Sequence, residues 1–214
     1  MALYLPPHFE QTDADAVREV VEAFPFATLI TTGTDGIVAN HIPLQWAPDE
    51  SEHGVLRGHV ARNNDVWRLT DPDIEVLAVF QAPDSYVTPN WYRSKEETHR
   101  VVPTWNYAVV HAYGGIRFID DPKWLRGVLG RLTRDMEAGE ATPWRMAQAP
   151  ADYLETQLDS IVGVEIEISR ILAKWKMSQN RTDADREGVA LGLRARGDAA
   201  AAWVADSVEP RRNP

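Results

Sequence analysis

The chain contains no cysteine, which excludes disulfides, thiolate metal sites and cysteine nucleophiles. It lacks any apolar run approaching a bilayer span, and its start, Met1-Ala2-Leu3-Tyr4-Leu5-Pro6-Pro7, has no basic segment leading into an apolar one. A soluble, cytoplasmic protein with no membrane attachment is therefore expected. Neither Gly-x-Gly-x-x-Gly after a strand nor Gly-x-x-x-x-Gly-Lys-Ser/Thr occurs, and Gly-x-Ser-x-Gly is missing, which argues against Rossmann, P-loop and serine-hydrolase chemistry. The six histidines (His8, His41, His53, His59, His99, His111) show no paired helical spacing, so no metal is expected. Positive charge is in deficit: 22 Lys and Arg against 32 Asp and Glu give a net charge of −10, which opposes nonspecific binding to nucleic acid.

What is present is an ordinary globular balance, 44% hydrophobic and 25% charged over 214 residues, with eight tryptophans as its unusual feature. Such a chain suits one large domain, alone or with appendages, and tryptophan suits cores, stacked planar ligands and subunit contacts. Val17, Val20, Val21 and Phe24 form a helical stripe behind the potential cap Asp13, predicting a helix over 13–24. Residues 26–32 and 37–46 read as a hairpin around Gly33-Thr34-Asp35-Gly36, followed by strands over 55–61 and 74–81 and a short one over 86–92. A short helix opens near Arg62-Asn63, and 93–103 reads as a loop. A strand spans 108–119, a helix follows Asp121-Pro122, and a shorter helix covers 150–159. Val162, Val164, Ile166 and Ile168 alternate with Gly163, Glu165, Glu167 and Ser169, a strand of period two. Residues 198–204 read as a helix and 209–214 as a frayed tail. Consecutive hairpins with inserted helices predict a mainly β fold, a closed or split barrel with helical decoration.

The segment Lys174-Trp175-Lys176-Met177-Ser178-Gln179-Asn180-Arg181 stands out. With Arg170 it holds four cations and no carboxylate, which suggests a bound anion, most simply phosphate; the competing reading is a solvated strand end with snorkelling lysines. Gly58-His59-Val60-Ala61-Arg62-Asn63-Asn64 places a guanidinium where a strand gives way to a helix start, a plausible phosphate cradle, against which stands an ordinary cap. Thr104-Trp105-Asn106-Tyr107 offers aromatic faces and polar edges suited to a flat heteroaromatic ring, or else a packed strand start. Ala39-Asn40-His41-Ile42-Pro43-Leu44 is a fourth patch of this kind. No side chain demands a covalent or acid–base role, so no catalytic residue is named.

Together these pieces resemble the PaiB-type family, FMN-binding negative transcriptional regulators built on the antiparallel, Greek-key FMN-binding split barrel. The matching residues are Met1-x-x-Tyr4-x-Pro6-x-His8-Phe9, Asn40-His41-Ile42-Pro43-Leu44, Gly58-His59-Val60-Ala61-Arg62-Asn63-Asn64, Phe80-Gln81-x-Pro83-Asp84-x-Tyr86-Val87-x-Pro89-x-Trp91-Tyr92, Val102-Pro103-Thr104-Trp105-Asn106-Tyr107-x-x-Val110-His111-x-x-Gly114 and Lys174-x-Lys176-Met177-Ser178-Gln179-Asn180-Arg181. They run in family order, and the resemblance is thinnest over the last 25 or so residues.

The resemblance implies a split-barrel domain over 1–181 with flanking helices and a helical C-terminal extension over 182–214. It also implies a homodimer with FMN at the subunit interface. Asn40, His41, Ile42, Pro43 and Leu44 are expected beside the isoalloxazine, and His59, Val60, Ala61, Arg62 and Asn63 at the ribityl phosphate, with Arg62 as principal cation. Thr104, Trp105, Asn106 and Tyr107 with Lys176, Ser178, Gln179, Asn180 and Arg181 close the pocket, the partner subunit being one possible source. Two functional readings follow. One is an FMN-dependent oxidoreductase on a small molecule with a reduced nicotinamide donor. The other is a non-enzymatic transcriptional regulator binding DNA or a protein partner with an empty flavin pocket, a DNA role that the acidic charge and the missing basic recognition helix do not support. Haem held through His8, His41 or His111 is a weaker third.

Overall fold

The computed structural model describes residues 3–209. Of the frayed tail expected over 209–214, residues 210–214 lie outside them, as does Met1 of the first motif. The chain divides into two compact units. One joins Val21–Phe80 to His111–Ile171, and the other gathers the chain up to Val20, Gln81–Val110 and the chain from Leu172 onward.

The larger unit carries most of an antiparallel sheet. Its strands are β1 (Phe26–Gly33), β2 (Gly36–Pro43), β3 (Gln45–Ala47), β4 (Val55–Ala61), β5 (Val76–Gln81), β7 (Thr104–Ile119) and β8 (Ile161–Lys176), in the order β2-β1-β5-β7-β8-β4-β3. The division between the units falls within β7 and within β8. β1 and β2 pair along their whole length, from Phe26 with Pro43 to Gly33 with Gly36. The two ends of the strand path, β2 and β3, are consecutive in the chain and joined through Leu44 alone. The strand expected over 37–46 thus breaks at Pro43, whose ring cannot donate to a ladder. Gly58 lets β4 approach this corner: a Cβ there would lie 2.6 Å from the Pro43 carbonyl oxygen.

The alternation over 162–169 holds for Val162, Val164, Ile166 and Ile168, which are buried. Gly163 and Glu165 on the opposite face are buried too, for two separate reasons. The indole of Trp124, on α4 (Pro122–Met136), fills the space a Cβ on Gly163 would occupy, 2.3 Å away. Glu165 accepts from Arg57 Nε at 2.7 Å and from Arg117 Nε at 2.6 Å. Burial pushes the Glu165 carboxyl up, but the hydrogen bonds from Arg57 and Arg117 outweigh it and hold the group below the usual range. α4 begins as its sequence predicts, with Asp121 Oδ1 accepting from the backbone N–H of Lys123 at 2.8 Å. Leu125, Val128 and Leu132 form its buried stripe, whereas Met136 is exposed.

In the smaller unit, β6 (Ser85–Val87) pairs with the start of β7 through Ser85–Asn106, Tyr86–Trp105 and Val87–Thr104. The strand expected over 86–92 ends there because Pro89 opens a 3-10 turn, Pro89–Trp91, capped by Thr88 Oγ1, which accepts from Asn90 N at 3.3 Å. The expected loop 93–103 begins with a short helix, α3 (Ser94–Thr98). β7 starts four residues before its expected start, and β8 continues to Lys176, so Lys174 and Lys176 stand on a strand rather than after it.

The C-terminal region holds two helices, α6 (Asp183–Arg194) and α7 (Ala199–Val208). Thr182 Oγ1 caps the first through Asp185 N at 3.2 Å, and Asp198 Oδ1 caps the second through Ala201 N at 2.7 Å. The α6 glycines are required by packing. A Cβ on Gly188 would lie 2.0 Å from the Trp91 carbonyl oxygen, and one on Gly192 would lie 2.3 Å from the Trp91 ring.

Candidate functional site

The residues singled out in the sequence fall into two groups, one in each unit. In the smaller unit, Thr104 and Asn106 on β7 meet Lys176, Ser178, Asn180 and Arg181 at the end of β8 around a cavity of about 150 Å³. Phe9, Tyr92, Val102 and Pro103 complete its lining. The strand alternation that buries Asn106 leaves Trp105 exposed, edge-on to Tyr86. Ser178 adopts the left-handed region, φ 62°, which turns the chain so that Arg181 N donates to Ser178 O at 3.0 Å. Asn106 Nδ2 donates to Ser178 Oγ at 3.1 Å, and Ser178 Oγ lies 3.2 Å from Asn106 Oδ1. Gln179 is engaged locally: its side chain accepts from Met177 N at 2.7 Å and donates to Trp175 O at 2.6 Å, which closes the strand end.

Charge is the defining property of this cavity. Lys176 Nζ donates to Trp105 O at 2.6 Å and to the Thr104 hydroxyl. Lys174, 6% exposed, donates to Tyr4 O at 3.0 Å and lies 5.6 Å from the Tyr107 ring centroid. The Arg181 guanidinium sits over the Tyr92 ring, 4.6 Å from its centroid. Among the described residues, Lys174, Lys176 and Arg181 form no ion pair with a carboxylate, whereas nine of the other arginines do. Burial lowers the pKa of Lys176, and repulsion from Lys174 and Arg181 lowers it further. Three neighbouring cations without a counter-charge are costly to hold together, and an anion with hydrogen-bond acceptors would relieve them.

In the larger unit, the structure joins the Asn40–Leu44 and Gly58–Asn64 patches. Asn64 Nδ2 donates to Asn40 Oδ1 at 2.7 Å, and Gly58 brings β4 against the Pro43 carbonyl. Ile42, Leu44 and Val60 are buried core residues, while Ala61 and Asn63 are exposed. His41 is exposed and stacks on Phe26, with ring centroids 6.3 Å apart. Asn40 Nδ2 and His59 Nδ1 are buried without a hydrogen-bond partner, and burial lowers the pKa of His59.

The Arg62 guanidinium binds Asp120 through both oxygens, at 2.8 and 2.6 Å, and donates to the carbonyls of Asp159 at 2.6 Å and Ile161 at 3.0 Å. The helix near it, α2 (Val66–Leu69), starts four residues after Arg62 and takes its local cap from Asn64 Oδ1, which accepts from Val66 N at 3.0 Å.

His8 lies edge-on to Phe9, and His111 is half-buried with Nδ1 unpaired. Among the described residues, no group of three or more His, Asp or Glu is placed to hold a metal, and no helix is long and apolar enough to cross a membrane. Val102 and Pro103 directly precede Thr104–Tyr107 in the same motif, whereas nothing in the sequence marks Phe9 or Tyr92 as lining a site; each stands in a recognised motif, and the fold alone brings them to the cavity.

A family model described as "Putative FMN-binding domain" matches residues 3–170, so the cationic segment 174–181 lies beyond the matched region. The chain is 31% identical over 209 residues to Protease synthase and sporulation protein PAI 2 of Bacillus subtilis, covering 98% of each. It is 36% identical over 244 residues to the uncharacterized protein AN0679 of Emericella nidulans, covering 98% of this chain and 97% of that one. Among solved structures, the flavocytochrome Anf3 from Azotobacter vinelandii superposes with a TM-score of 0.58 at 13% identity, covering 78% of this chain and 69% of that one. The FAD and heme binding protein from Mycobacterium smegmatis gives a TM-score of 0.55 at 17% identity, covering 78% and 72%. At such identities these two structures speak for the shared fold alone. With a family match spanning most of the chain and a relative of 31% identity along nearly all of it, this protein belongs to the PaiB-type FMN-binding domain family.

Proposed function

We propose that the protein binds FMN with its phosphate in the cavity of the smaller unit, and that it works as a homodimeric flavin-dependent oxidoreductase on a small molecule with a reduced nicotinamide donor. The observation that carries the phosphate assignment is the pair Lys176 and Arg181 lining one cavity with no carboxylate partner, with Lys174 adding a third unpaired cation two residues before Lys176 on β8. The donors fit the group. Lys176 and Arg181 supply charge, and Thr104, Asn106 and Ser178 line the same space with hydroxyl and amide groups suited to phosphate oxygens. A cavity of about 150 Å³ suits a phosphate head rather than a whole flavin.

Bound FMN would supply the electron transfer, while the protein supplies binding, orientation and electrostatics. Arg62, satisfied by Asp120 and two carbonyls, is proposed to hold β4 to the chain near Asp159 rather than to bind phosphate. Asn40 and His59, whose buried nitrogens lack partners, are proposed as ligand contacts of the larger unit. Dimerisation is supported by β2, an end of the strand path that exposes Ile37 and Val38, and by the neighbouring exposed Phe26.

The test is a titration of the purified protein with FMN and with riboflavin, in a buffer free of phosphate, followed by flavin absorption and fluorescence. Saturable binding that clearly prefers FMN supports the assignment. Equal affinity for the two overturns it.

A further inference from the structure

One polar group of the cavity is left unpaired by the packing around it. Tyr92 is 2% exposed, yet its hydroxyl has no hydrogen-bond partner. Burial raises the phenol's pKa; Arg181 and Ser178 come near enough to oppose that rise, but neither reaches the oxygen at bonding geometry. The hydroxyl is therefore an O–H donor at neutral pH with nothing to donate to. A buried donor in that condition costs stability, and phenylalanine would fill the same space without the cost.

The position of this ring is nonetheless set from both sides. Trp91 presses its carbonyl and its indole into the groove left by Gly188 and Gly192 on α6. Ser94 donates its backbone N–H to Asp185 Oδ1 at 2.9 Å and its hydroxyl to Oδ2 at 2.8 Å, and Asp185 is itself 2% exposed. A helix outside the matched family region thus clamps the residues on either side of Tyr92.

We propose that Tyr92 donates a hydrogen bond to the bound phosphomonoester, and that α6, through Asp185 and the Trp91 groove, is the positioning element that holds the hydroxyl in the cavity. This rests on the phosphate assignment made above. It gives the C-terminal helical region a part in ligand binding and sets the ligand class as a terminal phosphate, which accepts where riboflavin's ribityl end offers a neutral hydroxyl.

The experiment is Tyr92→Phe, assayed for thermal midpoint without ligand and for FMN and riboflavin affinity, with Arg181→Ala alongside. Without ligand, Tyr92→Phe is expected to leave the midpoint unchanged or raise it. FMN affinity is expected to fall roughly tenfold or more, the worth of a hydrogen bond to a charged acceptor, with riboflavin affinity unmoved. A lowered midpoint with unaltered FMN affinity overturns the inference, because the hydroxyl is then structural. If Arg181→Ala abolishes the FMN preference and Tyr92→Phe does not, the inference fails and the phosphate assignment stands. If neither variant alters the preference, both fall. Asp185→Ala tests the clamp: it is expected to weaken FMN in the wild-type background and to add little to Tyr92→Phe. Full additivity of the two losses would show that α6 does not act through Tyr92.

Discussion

Asn106, near the start of β7, and Ser178, just past the end of β8, bind each other side chain to side chain at 3.1 Å, and both are buried. Ser178 does so from φ 62°, a conformation that disfavours any residue with a Cβ. Ser178→Ala removes the bond and keeps the strain, and a loss of about 2 kcal/mol is expected from the stranded Asn106 amide. Ser178→Gly loses the same bond but relieves roughly 1 kcal/mol of backbone cost. Urea denaturation should therefore rank wild type above Gly and Gly above Ala; Ala above Gly would remove the strain argument.

Gly192→Ala tests the seat of Trp91. The new methyl would meet the indole at 2.3 Å, and overpacking of this kind costs about 1–3 kcal/mol. Gly127→Ala, on the exposed face of α4 with only the Arg131 guanidinium at 3.7 Å, should instead be neutral or stabilising by up to about 1 kcal/mol. Similar destabilisation by both in thermal melts would contradict this packing account.

Glu165→Gln removes the charge that Arg57 and Arg117 share. Arg117 is largely exposed, so its part is small, while the Arg57 pair is nearly buried. A loss of about 2–3 kcal/mol is expected, read as a lowered urea midpoint at unchanged slope. The carboxyl is depressed in the folded state, so its contribution is present at neutral pH and fades as pH falls through the carboxylate range. Wild type and Glu165→Gln should therefore converge in stability toward strong acid. A constant gap at every pH would mean that charge is not the cause.

Lys176 gives a pH dependence of the same sign in the alkaline range. Its folded pKa lies below the ordinary lysine value of 10.5, from burial first and then from Lys174 and Arg181. Between the depressed value and 10.5 the unfolded chain binds more protons, so this group's contribution to stability grows as pH rises through that window. A phosphate bound beside Lys176, as proposed, would favour the charged ammonium, so FMN binding would take up a proton there. The preference for FMN over riboflavin should decline as pH rises into the window, and Lys176→Met should flatten that decline. An identical decline in the variant would exclude Lys176 as its source.

Much of the scaffold is legible because it rests on local chemistry. The Asp121 cap and Pro122 announce α4, and β4 is bounded as its apolar pattern predicts. β8 outruns its sequence signal because Lys174 and Lys176 look like the solvated end of a strand, whereas their ammonium groups reach backbone carbonyls of Tyr4 and Trp105 and let the strand continue. α6 falls inside the helical extension expected over 182–214 but has no bounds legible in the sequence, because Gly188 and Gly192 depress helix propensity and Trp91, which needs the groove they leave, is distant in sequence. Arg62 read as a free cation because Asp120, 58 residues away, gives no local sign of pairing with it. The cationic segment was visible at once as charge, but its meeting with Thr104, Asn106 and Tyr92 is tertiary.

The measurement that bears most directly on the account is the ratio of FMN to riboflavin affinity in wild type, Arg181→Ala and Arg62→Ala. Arg181→Ala should lower the ratio by roughly 10- to 100-fold, the worth of one charge-assisted phosphate contact. Arg62→Ala should lower stability and leave the ratio unchanged. A ratio that collapses in Arg62→Ala and survives in Arg181→Ala would contradict the account and move the phosphate to the strand end at Arg62.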